Sequence, residues 1–136
     1  MQLPAITATY TAVLALLYAA LGLRVVGLRR RNLAGFGDGG SAELRHAIRA
    51  HAHFAEYVPM IALMAAMLEI SGLPAMRVHL LMAALLFARL LHPFGMSAEW
   101  QTLRFRICRI GGMAITYFVM VACAVLILSR ALRAAS

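Results

Sequence analysis

The sequence has few of the charged residues that a water-soluble domain needs at its surface. Charged residues make up only 13% of the 136 positions, lysine is absent and acidic residues number five. Hydrophobic residues make up 63%, and the mean hydropathy is +0.83. This composition excludes an ordinary soluble domain and indicates a membrane protein. The length allows one domain over residues 1–136, made of four spans and short connections.

Cysteine is also scarce. Cys108 and Cys123 lie in or beside the last apolar run and form no CxxC motif, so we expect no disulfide framework. The formal charge of +8 does not indicate a nucleic acid as partner, because the arginines lie at the ends of apolar runs and not along one polar face. Membrane lipids are the expected surroundings.

Four apolar runs are long enough to cross a bilayer as helices. Between the first two, the glycines of residues 32–41 favour turns, and Ser41 is expected to cap the second helix. Pro93 and Gly95 are expected to end the third helix. The fold class predicted is an all-α membrane protein with a four-helix bundle. Its spans cover approximately residues 4–28, 44–71, 75–95 and 106–130.

The distribution of arginine predicts the orientation in the membrane. The first and third connections are rich in arginine, whereas the second holds only Arg77. By the positive-inside rule, the first and third connections should be cytoplasmic, with both termini on the outer side. Glu69 and Arg77 flank the second connection and are expected to anchor it.

Ionisable residues inside the spans are the candidates for function, because each costs on the order of 3 kcal/mol to insert and should face the bundle interior, a cavity or a partner. Antiparallel packing would bring the start of the second helix, the end of the third and the start of the fourth to one membrane face. The side chains that can converge there are Arg49, Glu56, Arg89, His92, Arg104, Arg106 and Arg109.

Within this set, Arg49, His53, Glu56 and Tyr57 follow one another at spacings that place them on one face of the second helix. We call the second predicted helix, approximately residues 44–71, α2, and these four residues the α2 stripe. Several arginines facing one glutamate suit a peptide-like anion that has more than one carboxylate and one amine. The alternative is that Arg49 and Glu56 only form ion pairs between helices and that the arginines mark the lipid headgroup surface. The residues alone leave both interpretations open.

Four motifs, in order along the chain, resemble those of the MAPEG family of membrane glutathione-dependent proteins. They are GDGG at residues 37–40, RAHAHFAEYVP at 49–59, ARLLHPFG at 88–95 and RIGGMAIT at 109–116. The second motif is the specific one, because its Arg, His, Glu, Tyr and Pro recur at the family's spacing. The chain is most similar to the small bacterial members.

The resemblance implies a homotrimer in a bacterial inner membrane, with glutathione bound as co-substrate between protomers at the cytoplasmic side. It implies a glutathione transferase or glutathione-dependent peroxidase that acts on small apolar electrophiles. The tripeptide would be held by Arg49, His53, Glu56 and Tyr57. The pocket would be closed by Arg89 and His92. The thiolate, which is the reactive nucleophile, would be stabilised by Arg109, Arg106 or Arg104.

Two positions depart from the family's pattern. His53 stands where an asparagine is usual, and Met96 stands where many catalytic relatives have a tyrosine after the glycine. These departures support an alternative, in which the chain is a non-catalytic trimeric membrane protein that binds a lipid or a partner. A transporter is disfavoured, because no inverted repeat with paired broken helices is present.

The sequence also contains residues that suit two other kinds of site. A metal site could draw on His46, His53, Glu56 and His92, but the sequence has no tight motif such as HExxH, and we predict none. Cys108 lies between Arg106 and Arg109, which would favour its thiolate. Such a cysteine is more often a small buried side chain than a nucleophile.

Overall fold

The computed structural model describes residues 3–96 and 102–135, which form four long helices and no β-strand within those ranges. The helices are α1 (Ala5–Arg31), α2 (Ala42–Ile70), α3 (Ala75–Met96) and α4 (Gly112–Ala135), the last preceded without a break by π-helical turns at Phe105–Gly111. All four are long and apolar enough to cross a membrane. The predicted all-α, four-span fold is confirmed. Residues 97–101 of the third connection lie outside the described residues.

Helix α1 contacts the bundle along one narrow line. Its buried residues are Thr7, Leu14, Leu21 and Leu28, each seven positions after the last. Two helical turns separate successive members, so they lie above one another on a single face. The other faces of α1 carry exposed apolar side chains, which suits a helix surrounded by lipid or by another protein chain.

Helix α2 begins at the predicted cap. The Ser41 Oγ accepts a hydrogen bond from the Leu44 amide at 3.3 Å, which satisfies one of the unpaired amides of the first turn. In the preceding loop, Asp38 accepts from the Gly40 amide at 3.0 Å and pairs with Arg45. The Arg45 guanidinium lowers the pKa of the Asp38 carboxyl below its ordinary value. These contacts fix the loop against the start of α2.

Helices α2 and α3 form the centre of the bundle. They contact each other, and each also contacts both α1 and α4, whereas α1 and α4 do not meet within the described residues. The core between them is built from buried apolar side chains. Its members include Leu14, Phe54, Ile61, Val78, Met82, Leu85 and Val119.

The third helix does not stop at proline. Pro93 lies inside α3, which continues to Met96, one residue beyond the predicted end of this span at residue 95. A proline removes one backbone donor and strains the turn before it, but the neighbouring segment packs closely here. A Cβ placed on Gly95 would lie 2.8 Å from the Arg109 Cα. Glycine at position 95 therefore allows α3 to cross the π-helical turns almost backbone to backbone.

At the opposite end of the bundle, Glu69 does not anchor the second connection as expected. Its two carboxylate oxygens accept from the Ile6 and Thr7 amides at 2.9 and 2.8 Å. It thus caps the N-terminus of α1, where the helix dipole favours negative charge. The connection is held by Arg130 of α4, which donates to the Ser71 and Gly72 carbonyls.

Candidate functional site

The α2 stripe lies on one face of the second helix. The Arg49 Nη1 and Glu56 Oε1 atoms are 3.3 Å apart, and their side chains are 55% and 43% exposed. The pair therefore forms along one helix, two turns apart, and not between helices. Because both groups reach the protomer surface, a ligand carrying charges of both signs can replace the pair with two new ion pairs.

His53 points towards α3. Its Nδ1 lies 3.2 Å from the His92 Nε2, and the two ring centroids are 5.1 Å apart. One ring must donate and the other accept, which fixes their tautomers relative to each other. His92 is only 2% exposed. It therefore acts on the α2 stripe through its contact with His53 and not at the protomer surface.

Arg89 is buried at the junction of three helices, with 1% of its surface exposed. It donates to the His53 carbonyl at 3.3 Å, to the Thr116 hydroxyl and, at 3.9 Å, to the Met113 sulfur. No carboxylate pairs with it among the described residues. Arg89 and His92, both predicted to close the pocket, thus lie inside the protomer, where they hold α2 against α3 and α4.

Tyr57 pairs with Tyr117, a residue that the sequence motifs do not identify. Its hydroxyl lies 2.9 Å from the Tyr117 hydroxyl of α4, and the Arg89 guanidinium lies 5.9 Å from the Tyr57 ring centroid. Tyr117 is 45% exposed, so the pair presents polar oxygens at an otherwise apolar surface. Tyr117 is the one tyrosine in the apolar run of residues 110–128. A single phenol in such a run is the sequence feature that could have identified it as a candidate site residue.

The three candidate arginines at the start of the fourth span face different surroundings. Arg104 is exposed, donates to the Phe94 carbonyl at 2.9 Å and lines a groove against α1. Arg106 is also exposed. Arg109 is half-buried, lies over the Phe105 ring at 5.3 Å and packs with its backbone against Gly95 of α3, three residues after His92. Of the three, Arg109 is therefore the best candidate to act beside the α2 stripe.

Close packing holds Arg109 there. Its backbone lies against Gly95, as described above. One turn further on, a Cβ at Gly112 would lie 3.2 Å from the Ala88 carbonyl and 3.7 Å from the His92 Cβ. Both glycines let the last helix approach α3 where Arg89 and His92 are located. The π-helical geometry at Phe105–Gly111 is of a kind that often occurs at functional sites.

Within the described residues, no three His, Cys, Asp or Glu side chains are grouped so that they could hold a metal. Cys108 is a half-buried free thiol and Cys123 is a buried one.

The family model of the MAPEG family matches residues 7–128. The chain belongs to the MAPEG family. This confirms the resemblance inferred from the four motifs, and the match extends from α1 into α4 and contains all of α2 and α3.

Two curated relatives are similar to this MAPEG chain. Both are called inner membrane protein YecN, one from Escherichia coli strain K12 and one from E. coli O6:H1 strain CFT073. Each is 34% identical over 110 residues, which covers 72% of this chain and 84% of the relative.

The two departures from the MAPEG pattern have structural counterparts. His53 makes its contact with His92, and Met96 is buried, with 4% of its surface exposed. The side chain that follows Gly95 therefore packs inside the protomer.

Proposed function

We propose that the protein is a glutathione-dependent transferase or peroxidase that acts on small apolar electrophiles inside the inner membrane. We also propose that it works as a homotrimer, with the site at the cytoplasmic side. The observation that carries this proposal is the exposed Arg49–Glu56 pair on the same helix face as His53 and Tyr57, with Arg109 nearby.

The charges of the α2 stripe suit glutathione. This tripeptide has two carboxylates, one ammonium group and a thiol. The Arg49 guanidinium can bind a carboxylate through two parallel hydrogen bonds, and Glu56 can accept from the ammonium group. The ion pair already present keeps both groups oriented in the absence of ligand, which lowers the cost of ordering them on binding.

Arg109 would act on the sulfur. A free thiol has a pKa of about 8.5, and a fixed guanidinium favours the thiolate. In conjugation with an aryl halide, the thiolate would form a carbon–sulfur bond as the carbon–halogen bond breaks and halide leaves. In peroxide reduction, the thiolate would attack one peroxide oxygen, the O–O bond would break, and the alcohol would leave with a proton. A second thiol would then react with the resulting sulfenic acid to give a disulfide and water.

The protomer also has an apolar groove on the α1 side of α2. A groove of about 250 Å³ runs between α1 and α2, and its wall includes Ala55 and Pro59, which lie close to Glu56 in the sequence. No charged residue lines this groove. The groove faces α1, whereas His53 and Tyr57 contact α3 and α4, so an apolar molecule held in it would lie on another face of α2 from the thiol.

A non-catalytic member of the family is the second candidate. The observation that favours it is that His53 is engaged with His92 and that Met96 is buried. In this case the groove would hold a lipid or a partner helix, and no thiol would bind.

The test is thermal unfolding of the detergent-purified protein titrated with glutathione. A ligand that binds only the folded state stabilises it by about 2.7 kcal/mol at a hundredfold excess over its Kd. We expect a saturable rise in melting temperature that Arg49→Ala abolishes and Glu56→Gln weakens. Arg45→Ala is the matched control, because Arg45 is an exposed arginine of α2 outside the stripe.

Each outcome decides between the candidates. A shift that Arg45→Ala retains and Arg49→Ala loses supports the thiol site, and turnover of an aryl halide or an alkyl hydroperoxide would then be assayed. No shift up to millimolar glutathione rejects the thiol site and favours the non-catalytic candidate. Native mass spectrometry in mild detergent tests the trimer separately.

A further inference from the structure

The loop between α1 and α2, residues 32–41, presents two large apolar side chains to the outside. Leu33 is 93% exposed and Phe36 is 96% exposed. Two large apolar side chains so fully open in one short loop are unusual at a water-exposed surface. Because α1 and α2 are both membrane spans, the loop that joins them lies at the membrane surface.

The backbone of this loop is held in place, so the exposure does not arise from a loose chain. Arg29 Nη1 donates to the Gly37 carbonyl at 3.0 Å and to the Ala34 carbonyl at 3.4 Å. Asp38 ties the other end of the loop to α2. Leu33 itself has a φ of 50°, which L residues seldom adopt. This left-handed residue ends α1, because the Leu33 and Ala34 amides donate back to the Arg30 and Arg29 carbonyls, and it leaves the Leu33 side chain exposed in a fixed backbone.

Positive charge lies directly beside these apolar side chains. Arg29, Arg30 and Arg31 form the last turn of α1. A groove of about 440 Å³ lies between this turn and the loop, and it is lined by Val26, Arg29, Arg30, Leu33, Ala34 and Gly35. A site with arginines on one wall and apolar side chains on the other matches an anionic headgroup with its acyl chains.

We propose that this loop is a binding site for an anionic phospholipid of the adjoining leaflet. Leu33 and Phe36 enter the interfacial region of the bilayer, and Arg30 binds the headgroup phosphate in the groove. A second copy of this chain is a poorer occupant, because it would bring an identical cluster of arginines. The site is separate from the α2 stripe, so the inference does not depend on the proposed function.

The experiment is native mass spectrometry of the full-length protein in detergent, titrated with phosphatidylglycerol or with phosphatidylcholine. We expect phosphatidylglycerol to bind at least several-fold more tightly, and the preference to weaken at high salt. Arg30→Gln and Phe36→Ser should each reduce the affinity for phosphatidylglycerol about tenfold, which corresponds to about 1.4 kcal/mol of binding free energy. Arg30→Lys should restore most of it, because the charge is kept.

The controls lie on the other side of the membrane. Arg77→Gln and Met76→Ser change an exposed arginine and an exposed apolar side chain at the second connection, and neither should alter lipid preference. Equal binding of the two lipids, or an equal loss in the Arg77 control, would overturn the proposal. So would full competition by inorganic phosphate, which would indicate a free anion as ligand. An unchanged melting temperature in each variant excludes loss of folding as the cause.

Discussion

Replacing Gly95 with alanine tests whether the crossing of α3 and the π-helical turns holds Arg109 in place. The new Cβ would lie 2.8 Å from both the Cα and the Cβ of Arg109. Real Cβ atoms essentially never approach other atoms so closely. The Arg109 Cα belongs to the backbone and cannot rotate away, so one of the two helices must shift.

The expected change in the free energy of unfolding is the sum of two opposing contributions. Overpacking a tight contact costs about 1–3 kcal/mol, while alanine in a helix interior gains roughly 0.5–1 kcal/mol over glycine. Gly111→Ala is the matched control, because a Cβ there would meet only the Arg106 carbonyl, at an ordinary 3.7 Å. Both variants gain helix propensity from alanine. The difference between their free energies of unfolding therefore reports the steric clash, about 1–3 kcal/mol.

The assay is thermal unfolding in detergent, followed by circular dichroism. We expect the melting temperature of Gly95→Ala to lie several degrees below that of Gly111→Ala, and the response to glutathione to weaken with it. If Gly95→Ala melts at or above the temperature of Gly111→Ala, the backbone contact is not as close as described and the reasoning fails.

Three further predictions concern other contacts. Glu69→Ala should lower stability by about 1–3 kcal/mol, because two amides of α1 lose their acceptor. Glu69→Gln should lower stability less than Glu69→Ala. Equal losses of stability in the two variants would refute the role of Glu69 as the cap of α1. Because Arg45 holds the pKa of Asp38 below 3.8, the loop keeps this stabilisation above pH 3.8 and loses it as the pH falls further. The protection of the Gly40 amide against hydrogen exchange, taken relative to the intrinsic exchange rate at each pH, should then fall in acid in the native protein but not in Asp38→Asn, and parallel pH profiles of protection would contradict this. Arg89→Ala should cost more stability than Arg89→Met, since methionine fills most of the volume, and equal costs in thermal unfolding would show that the hydrogen bonds dominate.

The fold could be predicted because the signals are local. Span number and approximate length follow from apolar runs and bilayer thickness, and the cap at Ser41 follows from the residue type before the helix. The spacing of Arg49, His53, Glu56 and Tyr57 is likewise a property of one helix. All of these depend on neighbours in the sequence alone.

The contacts between helices could not be predicted in the same way. Which of Arg104, Arg106 and Arg109 lies beside the stripe depends on how the last span is rotated about its axis, and the π-helical turns change that rotation. The Glu69 cap on α1 and the Tyr57–Tyr117 pair join residues about 60 positions apart. Neither has a signature in sequence spacing, and Pro93 within α3 shows that packing can override a helix-breaking signal.

The buried Arg89 also bears on how the protein enters the membrane. It lies seven residues, or about 10 Å, from the end of α3, and a lone helix would have to carry its charge into hydrocarbon at a cost of about 3 kcal/mol. Its hydrogen-bond acceptors lie on α2 and α4, so they exist only after those spans are present. Helix α3 is therefore expected to wait at the insertion machinery until α4 has been made, and the second half of the chain to enter the bilayer as one unit.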